Sequence, residues 1–232
     1  MSQLNFNQSE ALRYERKFLI SDYSFLEVEH LLKYHPACFS EIYTQRQINN
    51  IYFDSAGFES YYGNIEGDTE RTKARIRWYG NLFGKIDHST LEFKIKKGLL
   101  GKKNFYSLAS FSLNEHFSKQ QILQALAIDS VPGNIRDLMV SLQPVLLNTY
   151  LRKYFISADK QFRITIDKDL TYYRISYFGN TFLNMVKDHK AVVLELKYDS
   201  QLENEAKEIG NKFPFAMTKN SKYLQGIERV LF

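Results

Sequence analysis

Alternating polar and apolar residues run through several segments of this chain, and a period of two is the signature of a half-buried β-strand. The pattern predicts about eight strands, and most of the connections between them are short enough for hairpins. Strands joined in this way form an antiparallel sheet. The predicted strands cover residues 12–20, 45–53, 71–79, 89–97, 103–111, 145–157, 161–167, 171–177 and 190–198.

Helical spacing of apolar residues interrupts the strand pattern. Ser21 or Asp22 is predicted to cap a helix that runs to about Tyr34, because Pro36 stops it. Further helices are predicted at residues 118–128, 133–142, 202–212 and 222–231. An antiparallel sheet with helices is an α+β fold, and about eight strands are enough to close the sheet into a β-barrel. Because no linker or repeat divides the chain, residues 1–232 are predicted to form one domain.

The polar positions of the predicted strands are mostly basic. Residues of the same parity share a face of a strand, so these cations are grouped and the aliphatic and aromatic residues lie opposite them. The grouped cations are Arg13, Lys17, Lys73, Arg75, Arg77, Lys94, Lys96, Arg152, Arg163 and Lys197. The same faces carry the carboxylates Glu15, Glu92, Asp167 and Glu195.

For any single strand, a charged face is explained by contact with solvent, since antiparallel sheets often have one side in water. Two features of the strands taken together favour an interior location for their charged faces. Surface faces usually mix small polar residues with both charges, whereas Arg and Lys predominate here. The helices also need apolar surfaces to pack against, and the apolar strand faces supply them. If the sheet closes with those faces outward, the charged faces line a tunnel.

The cations of such a lining repel one another and are costly to desolvate when the tunnel is empty. We therefore expect the tunnel to contain water and to bind a polyanionic ligand. The planar fork of arginine matches paired phosphate oxygens and lysine adds a point charge, so a chain of phosphates fits well. The carboxylates Glu15, Glu92, Asp167 and Glu195 are hard oxygen ligands that suit Mn²⁺ or Mg²⁺, although each is equally well explained as an ion-pair partner.

Composition narrows the class of protein. The chain has 31 Lys and Arg residues and 26 Asp and Glu residues, so its formal net charge is +5, which favours an anionic partner without naming one. The single cysteine, Cys38, excludes a disulfide framework and a thiolate metal cluster. Because the sequence has no signal peptide and no run of about 18 to 20 apolar residues, we predict a cytoplasmic protein without a membrane span.

Eight short motifs occur in order along residues 12–226. They are Arg13-Tyr14-Glu15-Arg16-Lys17-Phe18, Asn50-Ile51-Tyr52-Phe53-Asp54, Lys73-Ala74-Arg75-Ile76-Arg77, Leu91-Glu92-Phe93-Lys94, Tyr150-Leu151-Arg152-Lys153, Arg163-Ile164-Thr165-Ile166-Asp167, Leu194-Glu195-Leu196-Lys197-Tyr198 and Ser221-Lys222-Tyr223. In this order they resemble the VTC polyphosphate polymerase domain, which belongs with the CYTH proteins to the triphosphate tunnel metalloenzymes. Each motif is unspecific alone, and their order is specific.

The resemblance implies an eight-stranded antiparallel tunnel with a divalent metal, in which the γ-phosphoryl group of ATP is transferred to a growing inorganic polyphosphate chain. It implies catalytic phosphate contacts at Lys17, Arg75, Arg77, Lys94, Arg152, Arg163 and Lys222. Together with the strand pattern, it assigns further substrate contacts to Arg13, Lys73, Lys96, Lys197 and Ser221. Glu195 is the first choice as ligand of Mn²⁺ or Mg²⁺, followed by Glu15 and Glu92.

One position departs from the superfamily pattern. The opening motif of the superfamily has two glutamates before the lysine, and Arg13 stands at the first of them. The substitution removes a metal ligand and argues against the ordinary hydrolytic members.

Several alternatives stay open. Hydrolysis of tripolyphosphate or of a nucleoside triphosphate, adenylate cyclisation, and a non-catalytic binder of polyphosphate or RNA all fit a basic tunnel. No specific nucleic acid is expected, because most strand aromatics lie opposite the cations. A separate membrane protein that receives the product is compatible with the sequence. Asp54 and Ser55 are interpreted as a turn or a helix cap.

Overall fold

The computed structural model describes residues 13–97, 100–176 and 180–231, apart from the side chains of residues 13, 70, 96, 97 and 100–102. The strands within these ranges are β1 (Arg13–Ile20), β2 (Ser40–Asp54), β3 (Glu70–Tyr79), β4 (Gly84–Ile86), β5 (Ser89–Lys97), β6 (Leu100–Ser107), β7 (Phe111–Leu113), β8 (Gln143–Ile156), β9 (Arg163–Arg174), β10 (Met185–Asp188) and β11 (Val192–Asp199). The helices are α1 (Phe25–Lys33), α2 (Glu59–Glu66), α3 (Lys119–Ala125), α4 (Gly133–Ser141), α5 (Glu203–Asn211) and α6 (Lys222–Leu231), with a 3₁₀ turn at Ser200–Leu202. None of these described helices combines the length and the apolar character that a bilayer crossing requires.

Nine of the described strands belong to one sheet, and β4 and β7 form a separate two-stranded sheet. The hydrogen-bonded order is β1-β11-β9-β8-β2-β3-β5-β6, and β10 also pairs with β9. The pairs β1–β11, β9–β11, β9–β10, β2–β3, β3–β5 and β5–β6 are antiparallel. The predicted combination of an antiparallel sheet with helices is therefore confirmed, whereas closure of the sheet into an eight-stranded barrel stays a prediction.

The chain divides into two compact units, each assembled from three separate segments. The first unit contains Met1–Thr44, Lys153–Asp167 and Ala191–Asn220, and the second contains Gln45–Arg152, Lys168–Lys190 and Ser221–Phe232. Each unit has its own hydrophobic core. Because the segments interleave, neither unit is a continuous stretch of sequence, and the prediction of one domain over residues 1–232 is not tested by this division.

In the first unit, the apolar faces of β1, β9 and β11 pack against α1 and α5. Phe18 and Ile20 of β1 and Leu194 and Leu196 of β11 are buried with residues of both helices, namely Val28, Leu32, Ala206 and Ile209. The alternation predicted for these strands thus directs every second side chain into the core. The charged side chains at the intervening positions lie on the other face of the sheet.

In the second unit, the apolar faces of β3 and β5 pack against α3 and α4. The strand residues Ala74, Ile76, Trp78, Leu91 and Phe93 form one core with helix residues Ile122, Ala125, Ile135 and Met139. The expectation that helices cover the apolar strand faces is therefore confirmed within each unit. The stripe of basic residues on β3 faces away from this core.

Local predictions differ from the structure at several places, and the strand predicted at residues 103–111 is divided into β6 (Leu100–Ser107) and β7 (Phe111–Leu113), which belong to different sheets. Ser24 caps α1 in a capping box with Glu27, instead of Ser21 or Asp22, because the reciprocal bonds satisfy two backbone donors at once. β2 begins at Ser40 and not at residue 45. The prediction missed this start because the first seven residues of the strand are exposed and show no alternation. β9 is continuous between Arg163 and Arg174, where the polar residues around Asp169 suggested a break.

Candidate functional site

The pairing of β3 with β5 in the second unit places Arg75 opposite Glu92. Arg75 donates to Glu92 Oε2 from Nε at 2.7 Å and from Nη2 at 2.5 Å. Arg77 Nη1 lies 3.6 Å from Glu92 Oε1. The side chain of Arg75 is 30% exposed, and those of Arg77 and Glu92 are 15% exposed. Two half-buried guanidinium groups thus share one carboxylate, and the three side chains together carry one positive charge.

Two buried asparagines orient Arg77. Asn50 Oδ1 accepts a 2.9 Å hydrogen bond from Arg77 Nε, and Asn50 Nδ2 donates to Asn148 Oδ1 at 2.9 Å. Both asparagines are fully buried. A buried network of this kind restricts the guanidinium to one plane. The strand pattern does not single out Asn148, although an amide directly after the apolar run 145–147 is a signal that could have identified it.

The environment of Arg75 keeps it charged. Burial favours a lower pKa, but the neighbouring Tyr52 hydroxyl and the Glu92 carboxylate outweigh it, so the pKa of Arg75 is raised above its ordinary value. An arginine in this position remains a cation at every physiological pH. It can therefore contact an anionic ligand without a change of protonation.

Tyr150 on β8 carries two cations over its ring. Lys222 Nζ at the start of α6 lies 4.9 Å from the ring centroid, and Arg152 Cζ lies 5.3 Å from it. All three residues are buried, with exposed fractions of 2% for Tyr150, 7% for Arg152 and 8% for Lys222. Both distances fall within the range of about 6 Å at which an aromatic face attracts a cation. The ring therefore offsets part of the repulsion between the two charges.

Two further lysines and Ser221 adjoin this region. Lys73 on β3 donates to Ser221 Oγ at 3.5 Å, and the strand register places Lys94 of β5 opposite Lys73. Ser221 directly precedes α6, so the start of this helix contacts the basic strand. The second unit thus brings together the predicted site residues Lys73, Arg75, Arg77, Glu92, Lys94, Arg152, Ser221 and Lys222 along three strands and one helix start.

The first unit contains a mixed cluster of lysines and glutamates where β1 pairs with β11. The register places Lys17 opposite Glu195, and Glu15 opposite Lys197. Lys17 Nζ lies 3.7 Å from Glu195 and 3.8 Å from Glu15, and Lys197 Nζ lies 3.1 Å from Glu195 and 4.0 Å from Glu15. Arg163 of β9 lies opposite Lys197 in the sheet and is exposed. This cluster holds five of the predicted site residues.

The carboxylates of this cluster are the first two metal-ligand candidates predicted from the sequence. Glu15 and Glu195 contact the same two lysines, and their oxygens are hard donors of the kind that Mn²⁺ or Mg²⁺ prefers. Neither ion needs a full protein cage, since water and phosphate oxygens commonly complete the coordination. In the described part of the chain, no group of three His, Cys, Asp or Glu side chains is arranged for a metal. Glu92, the third candidate, is paired with the arginines of the second unit.

Two predicted site residues, Arg13 and Lys96, have side chains outside the described part of the structure. The roles of all the candidate residues stay predictions, because distances within each unit show proximity and not substrate contact.

Comparison with known families and structures gives three findings. A family model described as the VTC domain matches residues 12–231. A comparison with curated proteins returned no match. Among solved structures, the chain is similar to a candidate adenylate cyclase from Vibrio parahaemolyticus at 10% identity and a TM-score of 0.51, covering 93% of this chain and 98% of that one.

Two other solved structures are similar to the same extent. A protein from Pyrococcus horikoshii is 11% identical with a TM-score of 0.51, over 93% of this chain and 99% of that chain. A candidate adenylyl cyclase from Hippeastrum, described as having a dominant triphosphatase activity, is 13% identical with a TM-score of 0.52, over 95% of this chain and 98% of that chain. At these identities the likeness concerns the fold.

Proposed function

Because the chain belongs to the VTC domain family, we propose that it transfers the γ-phosphoryl group of ATP to a growing inorganic polyphosphate chain. The sheet closes, in this proposal, into the eight-stranded tunnel predicted from the sequence, with the basic strand faces inside. The proposed substrates are ATP and polyphosphate, and the protein works in the cytoplasm.

The observation that carries the proposal is the convergence of Arg75 and Arg77 on Glu92. The three side chains are partly buried, and together they keep one net positive charge. Retaining such a charge away from water is costly unless a ligand of opposite charge binds there. The forked guanidinium groups match the paired oxygens of a phosphate.

Phosphoryl transfer asks little covalent chemistry of a protein, because positioning and charge stabilisation supply most of the catalysis. Arg75 and Arg77 bind oxygens of the transferred group, and Lys222 and Arg152 bind neighbouring phosphates. A terminal oxygen of the polyphosphate chain attacks the γ-phosphorus, the bond to the bridging oxygen of ATP breaks, and ADP leaves with the electron pair. The attacking oxygen is already ionised at neutral pH, so no general base is needed.

Glu15 and Glu195 are the residues that would hold a divalent ion in this proposal. When bound, Mn²⁺ or Mg²⁺ supplies positive charge to phosphate oxygens. Lys17 and Lys197 keep the two carboxylates together and limit their mutual repulsion in its absence. Lys94, Arg163, Lys73 and Ser221 contact further phosphates of the chain.

The test is the product formed from ATP with Mn²⁺ or Mg²⁺. We expect ADP and an acid-labile polymer that lengthens with time on a gel, and neither when the metal is chelated. Orthophosphate as the sole phosphate product would mean hydrolysis, cyclic nucleotide would mean cyclisation, and unchanged ATP would mean a binding protein. Each of the last three results overturns the polymerase assignment.

Hydrolysis is the second candidate function. The similarity to a Hippeastrum protein described as a triphosphatase favours it, because the same cations serve when water is the acceptor. Arg13 in place of the first glutamate of the superfamily motif argues in the other direction. Tripolyphosphate as the sole substrate separates the two, since a hydrolase releases orthophosphate from it without a nucleotide.

A nucleic-acid function has less support. Tyr52 and Tyr150 do lie beside the cations, but they are 7% and 2% exposed and offer no open face for stacking on bases. The proposal therefore includes no specific nucleic acid. A separate membrane protein as receiver of the polymer remains part of the hypothesis and is tested by co-purification from detergent extracts.

A further inference from the structure

Asp54, the last residue of β2, is fully buried. Its Oδ1 accepts the backbone amides of Ser55 at 2.8 Å and Ser60 at 2.9 Å, and its Oδ2 accepts the amide of Tyr61 at 3.0 Å. The amides of Ser60 and Tyr61 lie in the first turn of α2, whose N-cap position is Phe58, so Asp54 satisfies donors of this helix start from outside the helix. The same Oδ2 also accepts a hydrogen bond from the hydroxyl of Tyr223 in α6. A helix cap does not need this fourth donor.

Tyr223 is suited to act as a permanent donor. It is 3% exposed, and its ring lies 5.4 Å from that of Tyr52 on β2. Burial and the neighbouring Asp54 raise the pKa of Tyr223 far above its ordinary value, so the hydroxyl keeps its proton. A buried carboxylate that loses such a partner keeps only its three backbone donors, and the loss of a hydrogen bond to a charged group makes the contact costly to break.

A second contact limits the movement of α6 one turn later. A Cβ atom at Gly226 would lie 2.4 Å from Leu146 Cδ2 and 2.7 Å from Tyr172 Cδ1, so the helix backbone touches β8 and β9 directly. Residues 223 and 226 are three apart and share a face of the helix. Two contacts on one face restrict both the rotation and the sliding of α6. Lys222, beside the first contact, is thereby held 4.9 Å above Tyr150.

We propose that the hydrogen bond between Asp54 and Tyr223 positions Lys222 for its anionic ligand. Tyr223 is a positioning residue that acts through Lys222 and does not itself touch the substrate. The role of Lys222 as a phosphate contact rests on the proposed function, whereas its placement by Tyr223 is a property of the protein without ligand.

The experiment therefore measures both properties on the full chain. Tyr223→Phe removes one oxygen atom and keeps the buried ring. Acetylation of lysines with an activated ester, followed by peptide mass spectrometry, reports the accessibility of Lys222 without any ligand. Since a hydrogen bond to a charged group commonly shifts an equilibrium by about tenfold, labelling of Lys222 should rise about tenfold in this variant. Lys153 of the first unit serves as the internal reference.

Tyr172→Phe is the matched control. The Tyr172 hydroxyl also contacts α6, at 3.5 Å from Oε1 of Gln225, a residue that lies three positions from Lys222. Its removal should leave the labelling of Lys222 unchanged. Equal labelling in wild type and Tyr223→Phe, or an equal rise in both variants, would overturn the positioning role.

A double-mutant cycle then tests the link to the ligand. Tyr223→Phe should raise the Kd for inorganic tripolyphosphate about tenfold when Lys222 is present. In a Lys222→Ala background it should leave the Kd unchanged, because the effect passes through Lys222. The same loss in both backgrounds would refute that link. If wild type binds no tripolyphosphate while Tyr223→Phe still exposes Lys222, the proposed function fails and the positioning role stands.

Discussion

Replacement of Arg75 by alanine tests most directly whether the charged face of β3 holds the transferred phosphoryl group. The substitution removes the hydrogen bonds of 2.7 and 2.5 Å to Glu92. Hydrogen bonds to charged groups contribute about 1.5 to 3 kcal/mol when buried. Because the Arg75 side chain is 30% exposed, solvent screening reduces this to about 1 to 2 kcal/mol. For a chain of this length we expect the Tm to fall by roughly 2 to 8 °C.

The effect on activity should be larger than the effect on stability. Loss of one donor that stabilises a transition state commonly costs about 3 to 4 kcal/mol, which is a reduction of roughly 10²- to 10³-fold in kcat. Arg75→Lys should fall between wild type and Arg75→Ala, because it keeps the charge and loses the fork. The assay is the initial rate of ADP release with saturating ATP and Mn²⁺, measured below the Tm of every variant.

Arg136→Ala is the matched control, since Arg136 is an exposed arginine on α4. It should keep the wild-type rate and Tm. If Arg75→Ala turns over as fast as Arg136→Ala, then Arg75 does not stabilise the transferred group and the assignment of this face is refuted.

Three further predictions follow from other parts of the molecule. Gly226→Ala should lower the free energy of unfolding by about 1 to 3 kcal/mol, because the added Cβ would lie 2.4 Å from Leu146 Cδ2; an unchanged urea midpoint would contradict this. Glu195→Gln should raise the Mn²⁺ concentration needed for half-maximal activity, since an amide oxygen is a weaker ligand than a carboxylate, and an identical metal titration would exclude Glu195 as a ligand. Burial lowers the pKa of His35 below its ordinary value of 6.5, so the unfolded chain binds the proton more readily than the folded chain. The free energy of unfolding should therefore fall as the pH is lowered below 6.5, and urea unfolding of His35→Gln should show a shallower pH dependence than wild type.

Several elements were predictable because their patterns are local. The predicted bounds of β5 and α6 agree with the structure, and the alternation in residues 71–79 identified the basic face of β3. The start of β2 was not predictable in this way, because its exposed residues lack alternation. Family resemblance pointed to Lys222, whereas helical periodicity alone treats it as an ordinary first residue of α6.

By itself, the sequence determined which side chains share a strand face, because that property follows from the extended backbone of one segment. Tertiary structure alone decided which of them meet. Asp54 and Tyr223 are 169 positions apart, and Arg77 reaches Asn50 across 27 positions. Such contacts depend on strand register and on the rotation of α6, which packing between distant segments determines. For this reason the sequence predicted which types of residue form the site, but it did not predict how they are arranged relative to one another.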